Sequence, residues 1–170
     1  MITIREYNEA DKEQIWEIIK PIIARGDTYI FSPDSSKEKM LEYWCDVNKK
    51  TYVALSELPT LAGGLDAKIL GTFFIKENQP DLGSHICNAG YMVSPEARGK
   101  GIGRKMAEFS LTEAKRLGFK AMQFNFVVKS NFGAIKLWQK LGFEIIGEIP
   151  EAYRHSENGL TNAYIMYRKL

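Results

Sequence analysis

The stretch V-S-P-E-A-R-G-K-G-I-G-R, Val93 to Arg104, decides how the rest of the chain is read. An apolar run ends at Val93, and Pro95 cannot continue a strand ladder. Arg98-Gly99-Lys100-Gly101-Ile102-Gly103 follows, and a helical pattern begins at once. This is a strand, a glycine-rich loop and a helix N-terminus. Glycines let successive backbone N–H groups turn toward one point, because they tolerate positive φ and carry no Cβ. The helix N-terminus adds partial positive charge, and Arg98, Lys100, Arg104 and Lys105 add full charges. The product is a cradle for a diphosphate. It is not a Walker loop, since no Ser or Thr follows a Gly-Lys pair. The dinucleotide fingerprint is also missing: the glycines run G-x-G-x-G, with no acidic residue about twenty positions on.

Working outward, the strand before the loop spans His85 to Val93, and the helix after it runs from Ile102 to Leu117 with Ile102, Met106, Ala107, Ala114 and Leu117 among its apolar positions. Upstream, Ile2 and Ile4 alternate with polar residues in a first strand. Asp11 with Gln14 reads as a capping box, followed by the stripe Ile15, Ile18, Ile19, Ile22, Ile23, which Pro21 should kink or break. Gly26 ends that helix. Ser35 with Glu38 reads as a second box, opening a helix with Met40, Leu41, Trp44 and Val47 on its apolar face. Tyr52–Ser56 and Lys68–Lys76 are strands, Gly71 marks a bulge, and residues 58–66 form a mobile connection. Downstream, Ala121–Val128 is apolar on both faces and so central. A helix starts at Ser130 or Asn131 and closes at Gly142. Strands Phe143–Ile149 and Asn162–Lys169 are joined by a loop containing Tyr153, Arg154 and His155. The order predicts an α+β fold with a mixed, mostly antiparallel sheet of about seven strands, and residues 1–170 are expected to form one domain.

A second signature, Asn131-x-x-Ala134-x-x-Leu137-Trp138-x-x-Leu141-Gly142-Phe143, follows the loop. The first block, Arg98-x-x-Gly101-x-Gly103, resembles the R-x-x-G-x-G loop of the GCN5-related N-acetyltransferases, the GNAT superfamily, and the second resembles that family's N-x-x-A block. The resemblance covers nearly the whole chain. It implies the GNAT fold, splayed at its two central parallel strands, with helices on both faces. It implies acetyl-CoA as co-substrate, held by Arg98, Gly99, Lys100, Gly101, Ile102, Gly103 and Arg104 at the pyrophosphate. Asn131, Ala134 and Trp138 would meet the pantetheine arm, which pairs with the backbone of Tyr91, Met92 and Val93. A backbone N–H there, that of Met92, would point at the thioester oxygen. Asn131 also reads as a plain helix N-cap. Relatives often carry a tyrosine where this chain has Trp138, and an indole N–H cannot release a proton at neutral pH. Tyr91 and Tyr153 are the alternative acids. Glu77, Asp27 and His85 are candidate bases, each with a simpler role as strand end, turn or strand surface.

The acceptor site is read from two asparagines. Asn is disfavoured in strands, yet Asn88 and Asn125 sit one in each strand expected to flank the thioester. A buried amide without partners costs roughly 1–3 kcal/mol, so we expect both to act at the reacting centre and hold the amine. Asp27, Tyr29 and Arg154 would line the pocket from loops, Arg154 as a carboxylate clamp. C-N-A-G-Y-M-V at Cys87–Val93, F-N-F-V-V-x-x-N at Phe124–Asn131 and G-D-T-Y at Gly26–Tyr29 resemble the fungal acetyltransferases that act on azetidine-2-carboxylate and other proline analogues. The expected activity is acetyl transfer to a small amino-acid-like amine. The alternatives are a protein or peptide N-terminal acetyltransferase and a non-catalytic acetyl-CoA-binding module.

The composition excludes other classes. The net charge of +2 in 170 residues, with no block of like charge, argues against nucleic acid. No apolar run spans a membrane, and Met-Ile-Thr-Ile-Arg-Glu is not a signal peptide, so a cytoplasmic protein is expected. Cys45 and Cys87 make no disulfide framework. His85 and His155 lack partners at metal-ligand spacing, so no metal site is expected. A small-molecule amine is the expected partner, and these features leave room for a homodimer.

Overall fold

The computed structural model describes residues 2–59 and 65–170, leaving the side chains of 57–59, 65 and 66 undescribed. Seven strands form one sheet in the order β1-β2-β3-β4-β5-β7-β6: β1 Ile2–Glu6, β2 Lys50–Pro59, β3 Leu65–Glu77, β4 Ile86–Val93, β5 Ala121–Val128, β6 Glu144–His155 and β7 Gly159–Lys169. Every pairing is antiparallel except β4 with β5, which is parallel and spans only Ile86↔Ala121 and Cys87↔Met122. Beyond that point the two central strands part, as expected. The mixed α+β sheet, its seven strands and its splay all agree with the sequence reading.

Strand alternation divides the core in two. Helices α1, Lys12–Ala24, and α2, Lys37–Trp44, cover one face, with the five stripe isoleucines, Met40 and Trp44 packed on Val53, Leu55, Phe74 and Met92. Helices α3, Ile102–Arg116, and α4, Phe132–Lys140, cover the other, packed on Tyr52, Ala54, Phe73, Cys87 and Phe124.

Several local expectations are corrected. Helix α1 runs unbroken through Pro21. A mid-helix proline costs about 3 kcal/mol, whereas each fully buried isoleucine contributes about 1.5–3 kcal/mol, so the stripe outweighs the break. The first capping box lies one turn earlier: the Asn8 N–H donates to Asp11 Oδ2 at 2.7 Å across a short 3-10 turn. Gln14 instead accepts from the Ile69 N–H at 2.9 Å, tying α1 to β3. The α2 cap is Ser36, accepting from the Lys39 N–H, while the Ser35 hydroxyl is buried without a partner. Val47 lies past the helix end and is 95% exposed, because α2 stops at Trp44. Of the connection expected at 58–66, Leu58, Pro59, Leu65 and Asp66 belong to paired strands, and 60–64 lie outside the described residues. The β2–β3 register slips beside Gly71, where a bulge was expected. The segment read as a loop around Tyr153, Arg154 and His155 is strand, in a long β6–β7 hairpin with a register shift between Ile149 and Tyr153.

Candidate active site

The glycine loop leaves the end of β4 through a 3-10 turn, Pro95–Ala97. Gly99 has φ +75° and Gly101 φ +77°, backbone that side chains avoid. A Cβ at either would meet nothing within 4 Å, so the space beside both glycines is open. Gly103 lies in the first turn of α3, where a Cβ would stand 3.6 Å from Val93 and 3.9 Å from Leu137 of α4. The cradle therefore adjoins both the β4 end and α4. Among the described residues Arg98, Lys100 and Lys105 have no ion-pair partner, while Arg104 pairs with Glu108 at 2.7 Å. Burial and the neighbouring Arg25 push the Arg98 pKa down, and Asp27 partly offsets them. Open glycines, unpaired cations and the N-terminus of a fifteen-residue helix fit a pyrophosphate.

Beside the cradle the parting of β4 from β5 leaves a cavity of about 360 Å³. Its wall on the α1–α2 face comprises Thr28, Tyr29, Ile30, Phe31, Tyr43, Phe74, Lys76, Asn88 and Gly90; Asn131, Ala134 and Trp138 of α4 close it from the other face. The cavity thus passes through the sheet. Trp138 is held by rings, with centroids 4.9 Å from Tyr91 and 4.6 Å from Phe124. Asn131 caps α4, its Oδ1 accepting from the Ala134 N–H at 3.3 Å; it also lines the cavity.

The main chain of β4 at the gap belongs to Tyr91. Its N–H donates to the Tyr29 hydroxyl at 2.9 Å, and that hydroxyl donates to the Tyr91 carbonyl at 2.7 Å. Since Tyr91 turns these groups away from β3, alternation directs those of Met92, opposite Thr72, toward β3. This corrects the expectation for Met92. Its N–H faces the sheet and its side chain is buried under α1, so the gap-facing amides are those of Tyr91 and Val93. Gly90 makes room for this arrangement: a Cβ there would stand 2.8 Å from the Phe74 ring. Burial pushes the Tyr29 pKa up, so the phenol stays protonated.

Asn88 and Asn125 both line the cavity. Asn88 Oδ1 accepts from the Ala89 N–H at 2.7 Å. Asn125 accepts from Gln123 Nε2 at 2.8 Å and donates to Asn78 Oδ1 at 2.7 Å. It sits where the β5–β7 register slips between Phe124 and Val127. Two expected pocket residues lie elsewhere. Arg154 is exposed, because alternation on β6 turns it away from buried Tyr153, whose hydroxyl donates to the Tyr29 carbonyl at 3.0 Å. Asp27 pairs with Arg25 outside the cavity wall. The alternative acids are also engaged: the Tyr91 hydroxyl shares a hydrogen bond with Ser110 of α3 at 2.7 Å, and Tyr153 holds the Tyr29 loop. None of Glu77, Asp27 and His85 lines the cavity, and neither does any other acidic residue among those described. His155 Nδ1 accepts from the Glu157 and Asn158 N–H groups, a turn role.

Sequence reasoning missed Phe31, Tyr43, Phe74, Lys76 and Gly90. Phe74 and Lys76 are two residues apart and so share a face of β3; only the register, Lys76↔Asn88 and Phe74↔Gly90, sets them beside the asparagines.

Comparison with known proteins agrees with this geometry. The acetyltransferase (GNAT) family model matches residues 15–143. The N-acetyltransferase aca1 of Schizosaccharomyces pombe is 44% identical over 110 residues, which are 64% of this chain and 53% of that protein. The chain thus spans about half the length of that curated relative, and less of protein SPT10 of Saccharomyces cerevisiae, of which the matched part is 14%. A GCN5-related N-acetyltransferase from Kribbella flavida superposes with TM-score 0.89 at 34% identity, covering 99% of this chain and 98% of that one. A phosphinothricin acetyltransferase from Sinorhizobium meliloti, solved in complex with acetyl-CoA, shares the fold at TM-score 0.81 and 24% identity, over 99% and 88% of the two chains.

Proposed function

The chain belongs to the acetyltransferase (GNAT) family, enzymes whose co-substrate is acetyl-CoA, and from that premise we propose that it transfers acetyl from acetyl-CoA to the amine of a small amino-acid-like metabolite. The observation that carries this reading is the cavity through the gap between β4 and β5, with α4 of the glycine-loop side on one face of the sheet and a polar, aromatic chamber on the opposite face. The glycine loop from Arg98 to Arg104 would hold the pyrophosphate. Asn131, Ala134 and Trp138 would flank the pantetheine arm, and the main chain of Tyr91 and Val93 would pair with it.

The amine enters from the α1–α2 face, between Asn88 and Asn125, and attacks the thioester carbonyl directly. Charge growing on the carbonyl oxygen meets the Tyr91 N–H, which gives up its bond to Tyr29. Such a fixed donor is commonly the largest single catalytic contribution. The new C–N bond replaces the C–S bond; the nitrogen passes its proton to water, and the sulfur leaves with the bonding pair as thiolate and takes a proton from solvent to become the thiol. The test is thiol release from acetyl-CoA with a panel of amino acids, cyclic imino acids and short peptides. Turnover of the free amino or imino acids is expected. Acetyl-CoA binding with no thiol release from any amine would make the chain a binding module, and a strong preference for peptides would make it an N-terminal acetyltransferase.

A further inference from the structure

The chamber on the α1–α2 face holds an amine of the protein's own. Among the described residues Lys76 alone of the lysines and arginines lines it, and it has no ion-pair partner there. It lies directly across the β3–β4 ladder from Asn88. Facing residues in an antiparallel pair point to the same side of the sheet, with Cβ atoms roughly 5 Å apart. Lys49 is close by, and its ammonium is engaged. It rests 3.2 Å from the centroid of the Tyr43 ring and 4.6 Å from that of Phe74, and it donates to the Tyr43 carbonyl. Burial, and after it the charge of Lys76, push the Lys49 pKa down to about 8, so the two ammoniums share one neighbourhood. Asp46, which opposes that shift, accepts from the Asn48 N–H at 2.8 Å and is not part of the chamber wall. No carboxylate among the described residues lines the chamber, so none there holds the Lys76 arm in place.

We propose that Lys76 is a self-acetylation site: when no free amine fills the chamber, its Nζ takes the acetyl group from acetyl-CoA bound to the same molecule. The inference rests on the acetyl-CoA part of the reading above. One cavity of about 360 Å³ joins Lys76 to Trp138. Asn88 stands three residues before Tyr91 on β4, roughly 10 Å at strand rise. A flexible four-carbon lysine stem turned along the chamber covers most of that span, and an acetyl group passing the gap covers the rest. The unprotonated Nζ attacks the thioester carbonyl. The N–C bond forms as the C–S bond breaks. Sulfur leaves with the bonding pair as thiolate and takes a proton from solvent, and the nitrogen passes its proton to water. The wall suits the product. Asn88 Oδ1 is taken by the Ala89 N–H at 2.7 Å, so its amide nitrogen, a pure donor, is left to meet the new carbonyl. The rings of Tyr43 and Phe74 are apolar surface for the methyl group. Acetylation removes the chamber's cation and lays an acetamide across the path of the free amine, so the modified chain is a slower enzyme.

The experiment incubates the full chain with acetyl-CoA alone and follows each lysine by peptide mass spectrometry. Lys76 should be acetylated at least tenfold faster than Lys120 and Lys140, which are exposed and report uncatalysed acetylation. Its rate per molecule should stay constant over a tenfold range of protein concentration. Excess CoA should slow Lys76 and leave the two reference lysines as they were. Acetylation of Lys76 no faster than theirs would overturn the proposal, as would a rate that climbs with protein concentration, which is transfer between molecules. Wild type pre-incubated with acetyl-CoA should lose thiol release with its best amine in proportion to the occupancy of Lys76. Lys76→Arg, which offers no acylable amine there, should keep after pre-incubation the rate it had before. A chain that turns over free amines yet leaves Lys76 unmodified overturns self-acetylation alone. A chain that modifies Lys76 and turns over no free amine upholds it and refutes the metabolite acceptor.

Discussion

Gly103 separates what the fold requires from what a ligand requires. Gly101 needs its positive φ, so a substitution there disturbs the loop whether or not a phosphate binds. Gly103 is helical, and a Cβ would make only ordinary contacts with Val93 and Leu137. Alanine in a helix is favoured over glycine by about 1 kcal/mol, so Gly103→Ala should leave the melting temperature unchanged or raised. If the backbone approaches a pyrophosphate here, the same variant should bind CoA at least tenfold more weakly by calorimetry. Full affinity in a well-folded Gly103→Ala would show that the phosphates lie elsewhere. Tyr29 poses the converse case. Its hydroxyl occupies both main-chain groups of Tyr91, so an acyl oxygen must displace it to reach the amide. A hydrogen bond of this kind contributes about 0.5–1.5 kcal/mol net. Tyr29→Phe removes the competitor, and acetyl-CoA should bind roughly two- to tenfold tighter, with a smaller gain for free CoA, whose pantetheine arm would meet the Tyr91 carbonyl but which has no acyl oxygen for the N–H. Weaker acetyl-CoA binding would mean that Tyr29 supports the acyl group instead of excluding it.

At the scale of elements, the site is made by two strands that stop pairing. β5 carries one residue too many against β7 between Phe124 and Val127, and an irregularity of this kind bends its strand. Asn125 sits at the bend and is tied by its amide to Asn78, just past the end of β3. The pair spans the gap as a strut. If the strut sets the position of β5, Asn78→Ala and Asn125→Ala should each cut kcat/KM for the amine at least tenfold, and the double variant should be little worse than either single one. Losses that simply add would mean that the two amides act separately.

What the sequence disclosed follows the range of the interactions involved. The cradle, the cap at Asn131 and the isoleucine stripe of α1 are written in consecutive or helically spaced residues, and they were legible. Met92 was mistaken for the gap-facing amide because the direction of a strand's N–H groups depends on which residues of the neighbouring strand they meet. Arg154 was misplaced because the Pro150–Gly159 stretch reads as loop chemistry, whereas the pairing Tyr153↔Thr161 holds it as strand and turns the arginine outward. Lys76 went unremarked because a lysine at a strand end looks like ordinary surface until the register sets it opposite Asn88.

Across the whole molecule, the sheet acts as a partition: the phosphate cradle and α4 lie toward one face, and the amine chamber toward the other. This division has a consequence for protons. Among the described residues no Asp, Glu or His lines the chamber. Lys49 has its pKa lowered, chiefly by burial, to about 8. Its ammonium nevertheless rests on the Tyr43 ring and donates to the Tyr43 carbonyl, outside the chamber wall. Among the described residues the chamber therefore offers the attacking amine no base, and only the amine's unprotonated fraction can react. That fraction rises tenfold per pH unit below the ammonium pKa and levels off above it. The logarithm of kcat/KM should accordingly climb with a slope of one and bend at the acceptor's own pKa. Two acceptors with different ammonium pKa values should bend at different pH, and Lys49→Met should move neither bend. A bend at one fixed pH for both acceptors would reveal a base in the protein. If that bend lay near 8 and vanished in Lys49→Met, the base would be Lys49, reaching the chamber from behind its aromatic wall.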